Sequence, residues 1–207
     1  MDELAAWPTH NNRVEFCVWQ APVSLQANSQ AKTELTAKIR HALSATRYLI
    51  SGDVQLTVEW WISEEERYES DRAPDIDNIL KPLVDSLVGP DAIMVDDNQV
   101  KEINCLWRES NDGPQRLDIL LQFEDRAWVP KTGLAFVQFQ NGLCLPIPHS
   151  QSKEEKLQRF HEYARSLELR GLLKEAGAHY SNGKVLMPKQ RTTVRLKVEQ
   201  NQLLSVA

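Results

Sequence analysis

Between Arg72 and Glu102 the sequence reads RAPDIDNILKPLVDSLVGPDAIMVDDNQVKE, with six aspartates (Asp75, Asp77, Asp85, Asp91, Asp96 and Asp97) and one lysine, Lys81, inside its apolar part. Asp75 and Asp77 are two apart, a spacing that puts both side chains on one side of an extended chain. Two bare carboxylates held together raise one pKa strongly unless a cation lies between them. A divalent metal is such a cation, and Mg²⁺ typically takes one or two protein carboxylates plus water and substrate phosphate. Asp96-Asp97 follows the Gly89-Pro90 turn at the start of an expected strand, where the chain can fold back on the N-terminal end of the preceding helix. Neighbouring strand residues alternate faces, so one of these two joins the first pair. Three convergent carboxylates suit a metal that polarises a phosphate, generates hydroxide and bridges the leaving oxygen. Lys81, four residues after Asp77, shares its helical face and is placed to stabilise charge developing on a scissile phosphate.

Each residue also has an ordinary explanation. Asp75 is a good helix N-cap, worth about 1 kcal/mol, and Asp77 offsets the helix dipole. Lys81 makes an i,i+4 ion pair of a few tenths of a kcal/mol. Asp85 reads as a solvated continuation of that row, and Asn78 as a lesser candidate for positioning a ligand or phosphate. It is the second acidic pair, added to the first, that tips the balance towards chemistry. A calcium-binding EF-hand is excluded, because Leu80 stands where that loop needs glycine. The five histidines have no i,i+3 or i,i+4 partner and no neighbouring cysteine, which argues against zinc, and no G-x-S-x-G, P-loop or G-x-G-x-x-G occurs.

The elements around this stretch read as an α/β (α+β) domain, a small mixed sheet with two helices in the order β-α-β-α-β-β. Arg13–Gln20 alternates as a strand, Ser29–Leu43 carries a helical stripe, and Asp53–Ser63 is a strand with Val54, Leu56, Val58 and Trp60 on one face. Trp60 and Trp61 must then face opposite ways, one into the core and one needing a cover. Glu64–Asp71 reads as a polar loop. From Asp77 a helical stripe runs through Ile79, Leu80, Leu83, Val84, Leu87 and Val88, with Pro82 early in it, where a missing N–H costs least. Val100–Arg108 and Arg116–Phe123 complete the strands.

The expected division is a domain over residues 1–128 and an extension over 129–207. The extension should hold a hairpin over Leu134–Ile147 turning at Asn141-Gly142. A helix opened by Ser152 and Glu155 and interrupted at Gly171 comes next. Lys184–Glu199 then reads as a last, basic hairpin. No apolar run reaches the roughly 20 residues that cross a bilayer, and the acidic N-terminus lacks the pattern of a secretory signal, so no membrane contact and a cytoplasmic location are expected. Three separated cysteines read as reduced thiols. Charge is uneven: residues 1–130 carry 12 Lys and Arg against 23 Asp and Glu (−11), and residues 131–207 carry 12 against 6 (+6). An acidic body with a basic tail points to an acidic partner or to self-neutralisation.

Asp75-x-Asp77-Asn78-x-x-Lys81, an apolar helix, then Asp96-Asp97-x-Gln99-Val100 resembles the core motif of the RusA family of Holliday-junction resolvases. Motif identity covers Pro74–Val100, and element order Arg13–Phe123. The resemblance implies a Mg²⁺-dependent endodeoxyribonuclease, with Mn²⁺ able to substitute, acting as a homodimer on branched DNA in recombination and repair. Such enzymes are encoded largely by phages and prophages. It implies Asp75, Asp77 and Asp97 as metal ligands, with Asp96 the less suited of its pair, and Lys81 as the catalytic cation. Family members are usually small and basic, with an Asn/Arg-rich segment after the first strand; here Val23–Gln30 is uncharged. The expectation is that Lys184, Lys189, Arg191, Arg195 and Lys197 supply the missing DNA-binding surface, since phosphate neutralisation dominates DNA affinity. The alternatives are a catalytically idle nucleic-acid- or protein-binding module, and a nuclease of the same chemistry acting on flaps or RNA.

Overall fold

A computed structural model of the protein describes residues 4–70, 73–110, 113–138, 144–148 and 152–179. The chain divides into two compact units, Met1–Lys131 and Thr132–Ala207. In the first, the elements are β1 (Arg13–Val18), α1 (Ser29–Ala42), β2 (Tyr48–Ile50), β3 (Val54–Ile62), α2 (Glu64–Tyr68), α3 (Ile76–Ser86), a 3₁₀ turn (Asp97–Gln99), β4 (Val100–Glu109), β5 (Arg116–Phe123) and β6 (Trp128–Pro130).

The sequence alternation becomes the two faces of a four-stranded sheet ordered β1-β5-β3-β4. Val14, Phe16 and Val18 of β1, every second residue of β3 from Val54 to Ile62, and Leu117, Ile119, Leu121 and Phe123 of β5 are buried on one side. That side is covered by α1 through Leu35 and Ile39 and by α3 through Ile79, Leu83 and Val84, all in one core cluster. β1/β5 and β5/β3 are antiparallel, while β3/β4 is parallel. A parallel neighbour cannot follow through a hairpin, and α2, α3 and the 3₁₀ turn form its crossover. The crossover therefore carries all six aspartates of the stretch and Lys81. The short strands β2 and β6 pair with each other, which keeps residues 128–130 in the first unit.

Trp60 faces the core, donates its indole N–H to Gln115 Oε1 at 2.8 Å and stacks on Trp107 with ring centroids 4.2 Å apart. Trp61 faces the other side, and its cover is the Arg116 guanidinium, 4.4 Å from the ring. Cys17 and Cys105 are free thiols; burial, then Asp118, pushes the Cys17 thiol up to about 11.

Three local expectations are corrected. Glu64–Tyr68 is a short helix and not a loop: Ser63 caps it by accepting from the Glu66 N–H, and three glutamates occupy its positive end. α3 starts at Ile76, so Pro82 is well inside it and removes the N–H that would reach the Asn78 carbonyl. That carbonyl accepts instead from the Leu25 N–H at 2.7 Å, which offsets the loss and ties the loop before α1 to the helix.

In the second unit β7 (Leu134–Gln138) and β8 (Cys144–Pro148) pair antiparallel, and α4 spans Lys153–Glu175. Ser152 and Glu155 form the full reciprocal capping box. Here lies the third correction: α4 runs unbroken through Gly171, since one glycine costs only about 1 kcal/mol against many retained hydrogen bonds. The chain turns at Gly177, whose φ of 76° favours glycine. The Asn141-Gly142 turn and the basic segment bearing Lys184, Lys189, Arg191, Arg195 and Lys197 lie outside the described residues.

Candidate active site

Pro74 disfavours a helical conformation at Ala73, so α3 begins immediately after it. Asp75 is the N-cap by backbone geometry (φ −64°, ψ 152°), yet its side chain makes no capping hydrogen bond. Asp77 lies in the first turn, and both carboxylates are exposed. The helix N-terminus stabilises negative charge there, while the cap bond that would turn Asp75 inward is missing. Asn78 serves the scaffold: besides its backbone bond to Leu25, its Oδ1 accepts from Gln26 Nε2 at 3.4 Å.

Lys81 connects the two halves of the motif. Its Nζ donates to Asp85 Oδ1 at 2.8 Å and to Asp97 Oδ2 at 2.7 Å, the latter 16 residues away in sequence. The hydrogen bond to Asp85, then the one to Asp97, raises its pKa above the ordinary lysine value. With Lys81 about half exposed, at 49%, the pairs contribute little stability. What they fix is position, a protonated amine beside the carboxylate of Asp97. Asp85, which the sequence suggested was solvated, is the second anchor of this lysine.

Asp97 is presented by a buried device. The pair does not open a strand; Asp96 caps the 3₁₀ turn, and β4 begins only at Val100. Asp96 is 1% exposed and accepts from the Asn98 backbone N–H at 2.9 Å and from Asn98 Nδ2 at 2.7 Å. Gln99, also buried, accepts from the N–H groups of Val95 and Asp96 at 2.7 Å and donates to the carbonyls of Ile50 and Gly52 at 2.8 Å. Buried polar groups must be paired, and this one amide pairs four backbone groups of two chain segments. Asp96 is thereby committed inward and Asp97 outward. The signal for Gln99 was in the sequence: Asp96-x-x-Gln99 is a capping-box pattern.

A divalent cation is implied by the motif, and the donors fit one in kind. Carboxylate oxygens are the ligands a hard cation prefers, Asp75 is not drawn into its own helix cap, and Asp97 already holds a cationic group at hydrogen-bond distance. Among the described residues no three His, Cys, Asp or Glu side chains form a group that could hold a metal ion. The structure thus brings Lys81 to Asp97 and places Asp75 and Asp77 at the start of the same helix as Lys81, without gathering the three carboxylates. Among the described residues no helix is long and apolar enough to cross a membrane.

No curated protein matches the chain. A family model does: that of Endodeoxyribonuclease RusA, over residues 8–122, more than half of the chain and nearly all of the first unit, including every element that positions these side chains. The chain belongs to the RusA family of endodeoxyribonucleases.

Proposed function

We infer that the protein is a divalent-metal-dependent endonuclease that hydrolyses phosphodiester bonds in branched DNA. Its substrate is the four-way junction of recombination and repair, and it acts as a homodimer in the cytoplasm. The observation that carries the reading is the Lys81–Asp97 contact, which links the motif halves across a family-matched domain. Asp75, Asp77 and Asp97 are the residues that would hold Mg²⁺, or Mn²⁺ in its place. Such an ion, when bound, polarises the scissile phosphate and activates a water. Lys81, kept protonated by its raised pKa, supplies positive charge where the transition state gains negative charge. Asp85 holds that amine in reach when Asp97 is otherwise engaged. Two sites related by a two-fold axis suit the symmetric cutting of a four-way junction.

The acidic first unit opposes DNA, so the basic residues Lys184, Lys189, Arg191, Arg195 and Lys197 are assigned the phosphate contacts. A chain truncated after Lys131 should bind junctions more weakly and with a flatter salt dependence. The testing experiment incubates the full chain with labelled four-way junction, flap, duplex and RNA, with and without Mg²⁺. Symmetric Mg²⁺-dependent cutting of the junction is expected. Cutting confined to flaps or RNA would change the substrate, and junction binding without any cutting would leave an idle binding module.

A further inference from the structure

β4 is the outermost strand of the sheet, bonded to β3 on one side and to no described strand on the other. An open edge is a template for pairing, and proteins usually blunt it with proline, a bulge, a very short strand or unpaired charges. β4 is ten residues long and has no proline, and its one register irregularity is confined to its start, beside Val54 and Gln55. On the helix-covered side of the sheet it leaves Ile103 44% exposed, with Cys105 and Trp107 half-buried.

The sequence of this edge, KEINCLWRE from Lys101 to Glu109, is complementary to itself. Laid antiparallel on a second copy about Cys105, Lys101 faces Glu109, Glu102 faces Arg108, and Ile103 faces Trp107. Centring the pairing on Asn104 sets Glu102 against Leu106 and Lys101 against Trp107. Centring it on Leu106 sets Ile103 against Glu109 and Asn104 against Arg108. Both shifts lose every ion pair. Arg108 already contacts Glu59 of its own chain at 2.7 Å, and a guanidinium has donors enough for two carboxylates.

We propose that β4 is the dimerisation edge, pairing antiparallel with β4 of a second copy of this chain about a two-fold axis at Cys105, so that two four-stranded sheets become one of eight strands. This deepens the homodimer of the function proposed above. Backbone hydrogen bonds and the Ile103–Trp107 contacts supply the affinity of such strand addition. The charges fix the register, because each neighbouring alignment sets them against uncharged groups and loses the ion pairs. A two-fold axis perpendicular to the sheet keeps both helix layers on one side. At 3.3 Å per residue the two Val100 residues, each just after its Asp97, stand roughly 33 Å apart.

Directly opposed antiparallel residues have Cα atoms about 4.5 or 5.5 Å apart, within the range a disulfide bridges. The full chain carrying Cys17→Ser and Cys144→Ser, so that Cys105 is its only thiol, is therefore treated with a mild oxidant, without DNA or metal. A disulfide-linked dimer is the expected product. Moving the lone thiol by Ile103→Cys with Cys105→Ser should give almost none, since the two copies of position 103 lie four residues out of step. Monomer from the Cys105 protein, or equal cross-linking from position 103, overturns the proposal. In light scattering, Arg108→Glu should weaken association at least tenfold and Glu102→Arg added to it should restore the dimer; an unweakened Arg108→Glu dimer contradicts the pairing. Association is read without cleavage, so a dimer that fails to cut refutes only the nuclease reading, and a monomer that cuts refutes only this one.

Discussion

Asp75 and Asp77 stand at the open end of α3 with both carboxylates exposed, whereas Asp96 and Asp97 sit in a turn that buries one and presents the other. The residue type is the same in both places, and the surroundings decide its use. At Asp75 a capping bond is absent and the carboxylate stays outside. At Asp96 two donors from Asn98 hold the side chain inside the protein. At Asp97 one partner is a half-exposed cation, Lys81, whose place a metal ion could take. Three of these four aspartates thus keep a carboxylate turned outward, and the fourth builds the turn that presents its neighbour.

The largest effect is expected at the exposed pair. Asp75→Asn or Asp77→Asn keeps the side-chain size and removes a charged donor, so junction cleavage should fall about a thousand-fold or more. Junction binding and thermal melting should stay near wild type. Full activity in either variant would return that residue to a helix-terminus role. Next in size is the buried support of the other pair. Gln99→Leu leaves the carbonyls of Ile50 and Gly52 and the N–H groups of Val95 and Asp96 without their partner. The expected cost is roughly 3 kcal/mol or more, read by denaturant unfolding. An unchanged midpoint would mean that the turn is held by something else.

Lys81→Met and Asp85→Asn distinguish a metal-ready carboxylate from a lysine-bound one. Lys81→Met should lower cleavage by about 10²–10³-fold, as loss of a charge-stabilising donor does. It should also raise metal affinity, because Asp97 loses a competing cation. Asp85→Asn should have the reverse effect on metal affinity, leaving Lys81 to lean on Asp97, with a smaller loss of rate. Titration with Mn²⁺ reads both, and equal affinities in the two variants would deny the competition.

The smallest effect concerns pH. Lys81 has a folded pKa above its ordinary value of about 10.4, so its pairs stabilise the fold fully below that value. The contribution is lost as pH rises through the higher folded value. With the amine half exposed the contribution is well under 1 kcal/mol. Melting temperature should therefore show a slight alkaline decline that Lys81→Met removes.

What the sequence made legible was whatever rests on periodicity. The strand Arg116–Phe123 and the helix opening at Ser29 were readable to the residue, because each carries one apolar face across its length. Features set by individual hydrogen bonds were not readable that way. α2 depends on the Ser63 cap, the length of α3 on Leu25 rescuing the carbonyl freed by Pro82, and the Asp97 turn on Gln99 reaching across to β2. At the site, type and spacing pointed to Asp75, Asp77, Lys81 and Asp97, and of these the structure brings Lys81 to Asp97. The inward commitment of Asp96 and the anchoring role of Asp85 depend on contacts made only in the folded chain.

The most direct measurement compares Asp96→Asn with Asp97→Asn in Mg²⁺-dependent cleavage of a labelled four-way junction, both variants being checked for wild-type melting and junction binding. Asn at position 96 keeps the oxygen that accepts from Asn98, so Asp96→Asn should cut within about tenfold of wild type, and Asp97→Asn should not cut. An active Asp97→Asn, or a folded but inactive Asp96→Asn, would contradict the division of labour between the two neighbours.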